Sequence, residues 1–128
     1  MKFLSILLLL STLLLADSNK HEYGEHHLPL DMRYLDLTPR QHEQVRSIVK
    51  IFKDEHKHFH RQKKTTRKSI ARLFMDKSFD TGEFVRLSTD LDQRAVEIQA
   101  KFFSEMYQVL TPYQRKRFVK YMEEWEVE

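Results

Sequence analysis

The chain has no cysteine, only two glycines and only three prolines in 128 residues. Without cysteine there is no disulfide, no thiolate metal ligand, no cysteine nucleophile and no site for a lipoprotein anchor, so stability must come from packing. Scarce glycine and proline leave few residues for the tight turns of a β protein. Glycine-rich phosphate loops are missing too, and no strand-turn-helix elbow presents a nucleophile, so enzyme activity is not expected. What is present is 41% hydrophobic and 32% charged residues, a balance suited to amphipathic helices in a single all-α domain. The net charge of +3 is small but uneven: Lys57, Arg61, Lys63, Lys64, Arg67 and Lys68 crowd one segment, and Glu123, Glu124, Glu126 and Glu128 close the chain.

Residues 1–16 read as a signal peptide, with Lys2 before an apolar run from Phe3 to Leu15 and a small residue at Ala16. The run is short for a bilayer span, so export to a periplasm without stable membrane insertion after cleavage is expected. Leu14, large for its place three residues before the expected cut, keeps an uncleaved anchor open. Residues 17–36 show no period and contain Gly24 and Pro29, which predicts a flexible arm carrying His21, His26 and His27. His21-Glu22 begins like a zinc-protease motif, but Glu25 stands where its second histidine belongs.

Residues 37–128 form the expected helical domain. Leu37-Thr38-Pro39-Arg40-Gln41 is a complete helix start, with Thr38 as N-cap, Pro39 in the first turn and Gln41 placed to close a capping box. It returns at Leu110-Thr111-Pro112-Tyr113-Gln114. After the first copy, Val45, Ile48, Phe52 and Phe59 share one helical stripe to about Gln62. Residues 63–75 continue as a bent extension or a separate helix, because Thr65 and Thr66 are weak formers and no Gly or Pro marks a break. Asp80 caps a long helix whose stripe runs from Phe84 through Leu91, Ile98 and Met106 to Val109. Phe118, Tyr121, Met122 and Trp125 line a short last helix, whose acidic end opposes the helix dipole and should fray. Two long and two shorter helices give a small four-helix protomer of antiparallel hairpins. Periodicity alone allows a monomeric bundle or burial of the narrow stripes against a second chain.

The paired L-T-P-x-Q motifs, the export signal and the Phe79-Asp80 break resemble the Spy/CpxP family of periplasmic LTxxQ proteins over roughly Leu35 to Glu124. The resemblance implies an antiparallel, cradle-shaped homodimer. It also implies an ATP-independent chaperone that holds unfolded envelope proteins during envelope stress, or a regulator that docks on a sensor kinase. Its metal-sensing relatives, CnrX and ZraP, imply a third role, although their ligand patterns are not reproduced here.

A basic cluster of this kind would suit nucleic acid in the cytosol, which the export signal disfavours. For client binding, Lys57, Arg61, Lys64, Arg67 and Lys68 are the candidates for steering by charge, and Phe52, Phe59 and Phe74 for apolar contact. His56 and His60, four apart, share a helix face while His58 points elsewhere, so two imidazoles are available to zinc, nickel or copper. A third donor would have to come from Glu55, the arm or a second copy; no cofactor is required by the pattern. The scattered Met32, Met75, Met106 and Met122 read as core filling.

Overall fold

The structure, a computed structural model, describes residues 32–128. The expected signal peptide and the arm up to Asp31 lie outside the described residues. A 3-10 turn, Met32–Leu35, comes first, and α1 spans Pro39–Met75, α2 Thr81–Val109 and α3 Pro112–Phe118; a second 3-10 segment, Val119–Trp125, follows.

The four-helix protomer is therefore corrected: the described residues hold three α-helices. The merger of the first two expected helices accounts for the difference, and the last helix is shorter than expected. Residues 39–75 make one continuous helix of 37 residues. The weak formers in its middle are accommodated, since the Thr65 hydroxyl donates back to the Arg61 carbonyl at 3.1 Å and Thr66 is buried. The last segment remains α-helical only as far as Phe118, then tightens to 3-10 geometry that ends with Trp125 fully buried and Val127 buried after it. Burial of the indole outweighs the unfavourable acidic end, so this segment is anchored where fraying was expected.

The two long helices run antiparallel, as successive contacts show: Gln41 reaches the Val109 carbonyl, Glu55 pairs with Lys101, and Phe74 lies against Phe79 in the link. Their main core is aromatic. Phe102 lies 4.5 Å from Phe52 and 4.8 Å from Trp125 between ring centroids, with Phe118 at its edge. Leu35, Val45, Ile98, Met106 and Leu110 complete the packing. Each such side chain removed from water is worth about 1.5–3 kcal/mol. The 3-10 turn Met32–Leu35 belongs to this core through Leu35, at 0% exposure.

The core occupies only one end of the molecule. No residue from 67 to 97 is buried. The distal half of the α1–α2 pair is thus a thin two-helix arm, with Phe74 and Met75 exposed at its tip.

Candidate functional site

Both helix starts form full capping boxes. Thr38 Oγ1 accepts from the Gln41 N–H at 3.2 Å while Gln41 Oε1 accepts from the Thr38 N–H at 3.0 Å. Thr111 and Gln114 repeat this at 3.3 and 2.9 Å. The two boxes meet side by side: Gln41 Nε2 donates to Gln114 Oε1 at 2.8 Å, and Gln114 Nε2 donates to Gln41 Oε1 at 3.0 Å. The remaining amide protons reach the backbone. Gln41 donates to the Val109 carbonyl at 2.9 Å, and Gln114 to those of Leu35 and Asp36 at 3.1 and 3.3 Å. Gln114 is buried, and this network satisfies its donors and acceptor.

Asp36 makes the approach possible. Its φ of 50° turns the chain from the 3-10 segment into the motif, and its carboxylate accepts from Arg117 at 2.6 Å. Aspartate tolerates this left-handed conformation better than most residues. Nearby, Arg115 lies 3.6 Å over the Tyr107 ring and donates to the Tyr107 carbonyl at 3.1 and 3.0 Å. The pairing of the two boxes was invisible in sequence; their identical chemistry was the one available signal.

The residues put forward for client binding divide into three groups. Phe52 and Phe59 are buried and hold the core in this protomer. Lys57, Arg61, Lys64 and Lys68, at steps of four, three and four, are exposed along the side of α1 opposite those rings. Arg67 and the 74% exposed Phe74 lie on a third, flanking stripe. The structure therefore separates the proposed rings from most of the proposed cations.

That flanking stripe leads back to a groove of about 420 Å³ at the start of α1. Met32, Leu37, Val45 and Val49 supply apolar walls, and His42, Arg46, Lys50 and Lys53 supply cationic or titratable ones. His42, Arg46, Val49, Lys53, His56, His60, Lys63 and Arg67 alternate steps of four and three, so the groove continues as one side of the helix. Sequence reasoning missed it because one wall, Met32, was assigned to the arm.

His56 and His60 meet edge to face at 4.3 Å between ring centroids. Partial burial, then neighbouring cations and, for His56, the other imidazole lower both pKa values below the usual 6.5. The neutral rings that metal binding requires are thus favoured. Glu55 is engaged by Lys101 at 2.9 Å, and His58 Nδ1 lies 2.9 Å from Arg61. No group of three or more metal-binding side chains occurs among the described residues. The methionines divide as well: Met32 and Met106 are buried, Met122 is half-buried, and Met75 is 87% exposed.

A duplicated motif that starts two helices and joins them by their glutamines defines a small all-α protein built around a repeated cap. The LTXXQ motif family protein profile matches residues 24–122, and the chain belongs to that family, of Spy/CpxP type. It is a family of non-catalytic chaperone and regulator proteins with a general role in periplasmic stress response. No curated protein and no solved structure matches the chain. No helix among the described residues is long and apolar enough to cross a membrane.

Proposed function

We propose that the protein is a periplasmic, ATP-independent holdase that retains unfolded envelope proteins on the flanking stripe of α1. The observation that carries this reading is the groove, where the apolar walls of Val45 and Val49 lie beside Arg46, Lys50 and Lys53. An unfolded chain offers apolar side chains and scattered carboxylates together, and such a surface takes both weakly. Lys57, Arg61, Lys64 and Lys68 then act at longer range, drawing acidic segments toward α1, while Arg67 and Phe74 extend the contact stripe. Phe52 and Phe59 take no direct part in client contact, because they hold the core. A second copy of the chain is a further proposed partner.

Aggregation of a reduced or heat-denatured substrate protein, followed by light scattering at near-stoichiometric amounts, tests the proposal. Suppression is expected, weakened at high salt and by combined neutralisation of Arg46, Lys50 and Lys53. Aggregation no slower than with an inert protein would remove the reading.

The adjacent His56 and His60 favour a second reading, a divalent-metal sensor with arm histidines completing the site. Titration of zinc, nickel and copper distinguishes it: micromolar affinity lost in His56→Ala/His60→Ala supports the sensor, and unchanged affinity rejects these ligands. Docking on a sensor kinase is the regulatory alternative, tested by direct binding to the kinase's periplasmic domain.

A further inference from the structure

At the pole farthest from the core, three rings form a chain across the link between α1 and α2. Phe74 lies 4.9 Å from Phe79, and Phe79 lies 5.9 Å from Phe84, between centroids. All three are exposed, and with them Met75 at 87% and Val85 at 54%. A contiguous apolar surface of this kind is unusual on a small domain and marks a contact site.

Its surroundings set the sign of the partner. From Lys64 to Arg86 there are six cationic side chains against three acidic ones. The acids are engaged locally: Asp76 accepts from the Lys77 N–H, Asp80 caps α2 through the Glu83 N–H, and Glu83 binds Arg86. Lys64, Lys68, Arg72 and Lys77 make no ion pair among the described residues. The form of the site matters equally. The rings stand at the end of a helical arm, whereas the groove lined by Val45 and Val49 lies at the start of α1. The rings protrude and do not line a groove that would seat a peptide, and a protruding aromatic tip ringed by cations fits a deformable apolar phase beneath negative charge.

We propose that this tip is a peripheral membrane contact, in which Phe74, Phe79 and Phe84 enter the interface of an anionic phospholipid surface while Lys68, Arg72 and Lys77 bind its headgroups. Phenylalanine on an interfacial element buries at the boundary between headgroups and acyl chains, and each nearby cation adds attraction to anionic lipid. The two long helices remain outside, so the contact is reversible; Phe74 and Lys68 are shared with the client surface proposed above, so lipid and client would compete for this end of α1.

The absence of cysteine makes a direct test simple. An environment-sensitive fluorophore is placed on Ser78→Cys at the tip and, separately, on Gln108→Cys at the opposite pole of the full chain. Vesicles contain phosphatidylglycerol or phosphatidylcholine, with brominated acyl chains as quencher. This local readout separates the tip from the apolar Phe3–Leu15 run. The expected result is a blue shift and quenching at position 78 with phosphatidylglycerol, at least tenfold weaker with phosphatidylcholine or in Phe74→Ser/Phe79→Ser, and neither at position 108. Circular dichroism confirms that the serine variant remains helical. Quenching at neither position, or at position 108 alone, overturns the proposal. So does a response at position 78 that vesicles do not increase and that follows protein concentration or added unfolded protein alone, since the tip would then serve only a second copy or a client.

Discussion

The side-chain amides of Gln41 and Gln114, 73 residues apart in sequence, donate to each other at 2.8 and 3.0 Å. Each glutamine also closes the capping box of its own helix, so one pair of side chains sets two helix starts and the distance between them. The motif's final position is thereby explained. A glutamate at either place would accept at the cap but could not donate to its counterpart, whereas glutamine does both.

Removing one member strands the other. Gln114→Ala leaves the part-buried Gln41 amide and Thr111 N–H and the buried Leu35 carbonyl short of partners, and should cost about 3 kcal/mol. Thr38→Ala and Thr111→Ala remove single cap acceptors and should cost about 1 kcal/mol each. Urea denaturation gives all three values; equal losses would mean that the glutamine only caps.

The one-ended core makes phenylalanines unequal. Phe102→Ala, at the centre of the aromatic cluster and 2% exposed, should lose about 3–5 kcal/mol. Phe74→Ala, 74% exposed, should change stability by less than about 0.5 kcal/mol. A large loss for Phe74 under conditions where the protein is monomeric would show that the distal arm is packed more tightly than described.

Tyr34 offers a test through a polar atom. Its hydroxyl is buried without a hydrogen-bond partner among the described residues, and burial, aided by Glu124 and Tyr121, pushes its pKa to about 12. The folded state therefore holds the proton more tightly than the unfolded chain, whose tyrosine titrates near 10. Stability contributed by this group is complete below pH 10 and is lost as pH rises toward 12. Tyr34→Phe should remove that alkaline loss and leave neutral-pH stability equal or slightly higher, because it deletes an unpaired hydroxyl. A clear fall in melting temperature at neutral pH would show that the hydroxyl has a partner.

The histidine pair gives the opposite slope. His56 and His60 have pKa values lowered by burial first, so folding favours their neutral forms. Their contribution is present above the ordinary value of 6.5 and disappears as pH falls through the lowered folded values. Thermal melts from pH 7.5 to 5 should show a decline that His56→Gln reduces. An identical decline in the variant would place its origin elsewhere.

How far the sequence could be read follows from the same residues. Thr38, Pro39 and Gln41 announce a helix start because capping is local chemistry, complete within four residues. The joining of Gln41 to Gln114 is tertiary and has no local trace. The helix-breaking tendency of Thr65 and Thr66 is only a few tenths of a kcal/mol per residue, too little to interrupt a helix that buries Thr66. Phe59 and Phe74 both follow apolar periodicity, yet one is buried and the other is exposed, because the core ends between them. Trp125 reverses the expected fraying for a related reason: the destination of the chain end lies on Phe52 and Phe102, far away in sequence.

The claim that the two motif copies act as one device is tested most directly by a double-mutant cycle on Gln41→Ala and Gln114→Ala, with stability measured by urea denaturation. Residues joined through a shared network are not additive. The double variant should lose at least about 1 kcal/mol less than the two single losses combined, because the second substitution removes a bond that the first has already broken. Additivity within about 0.3 kcal/mol would contradict the claim and reduce the motif to two independent helix caps.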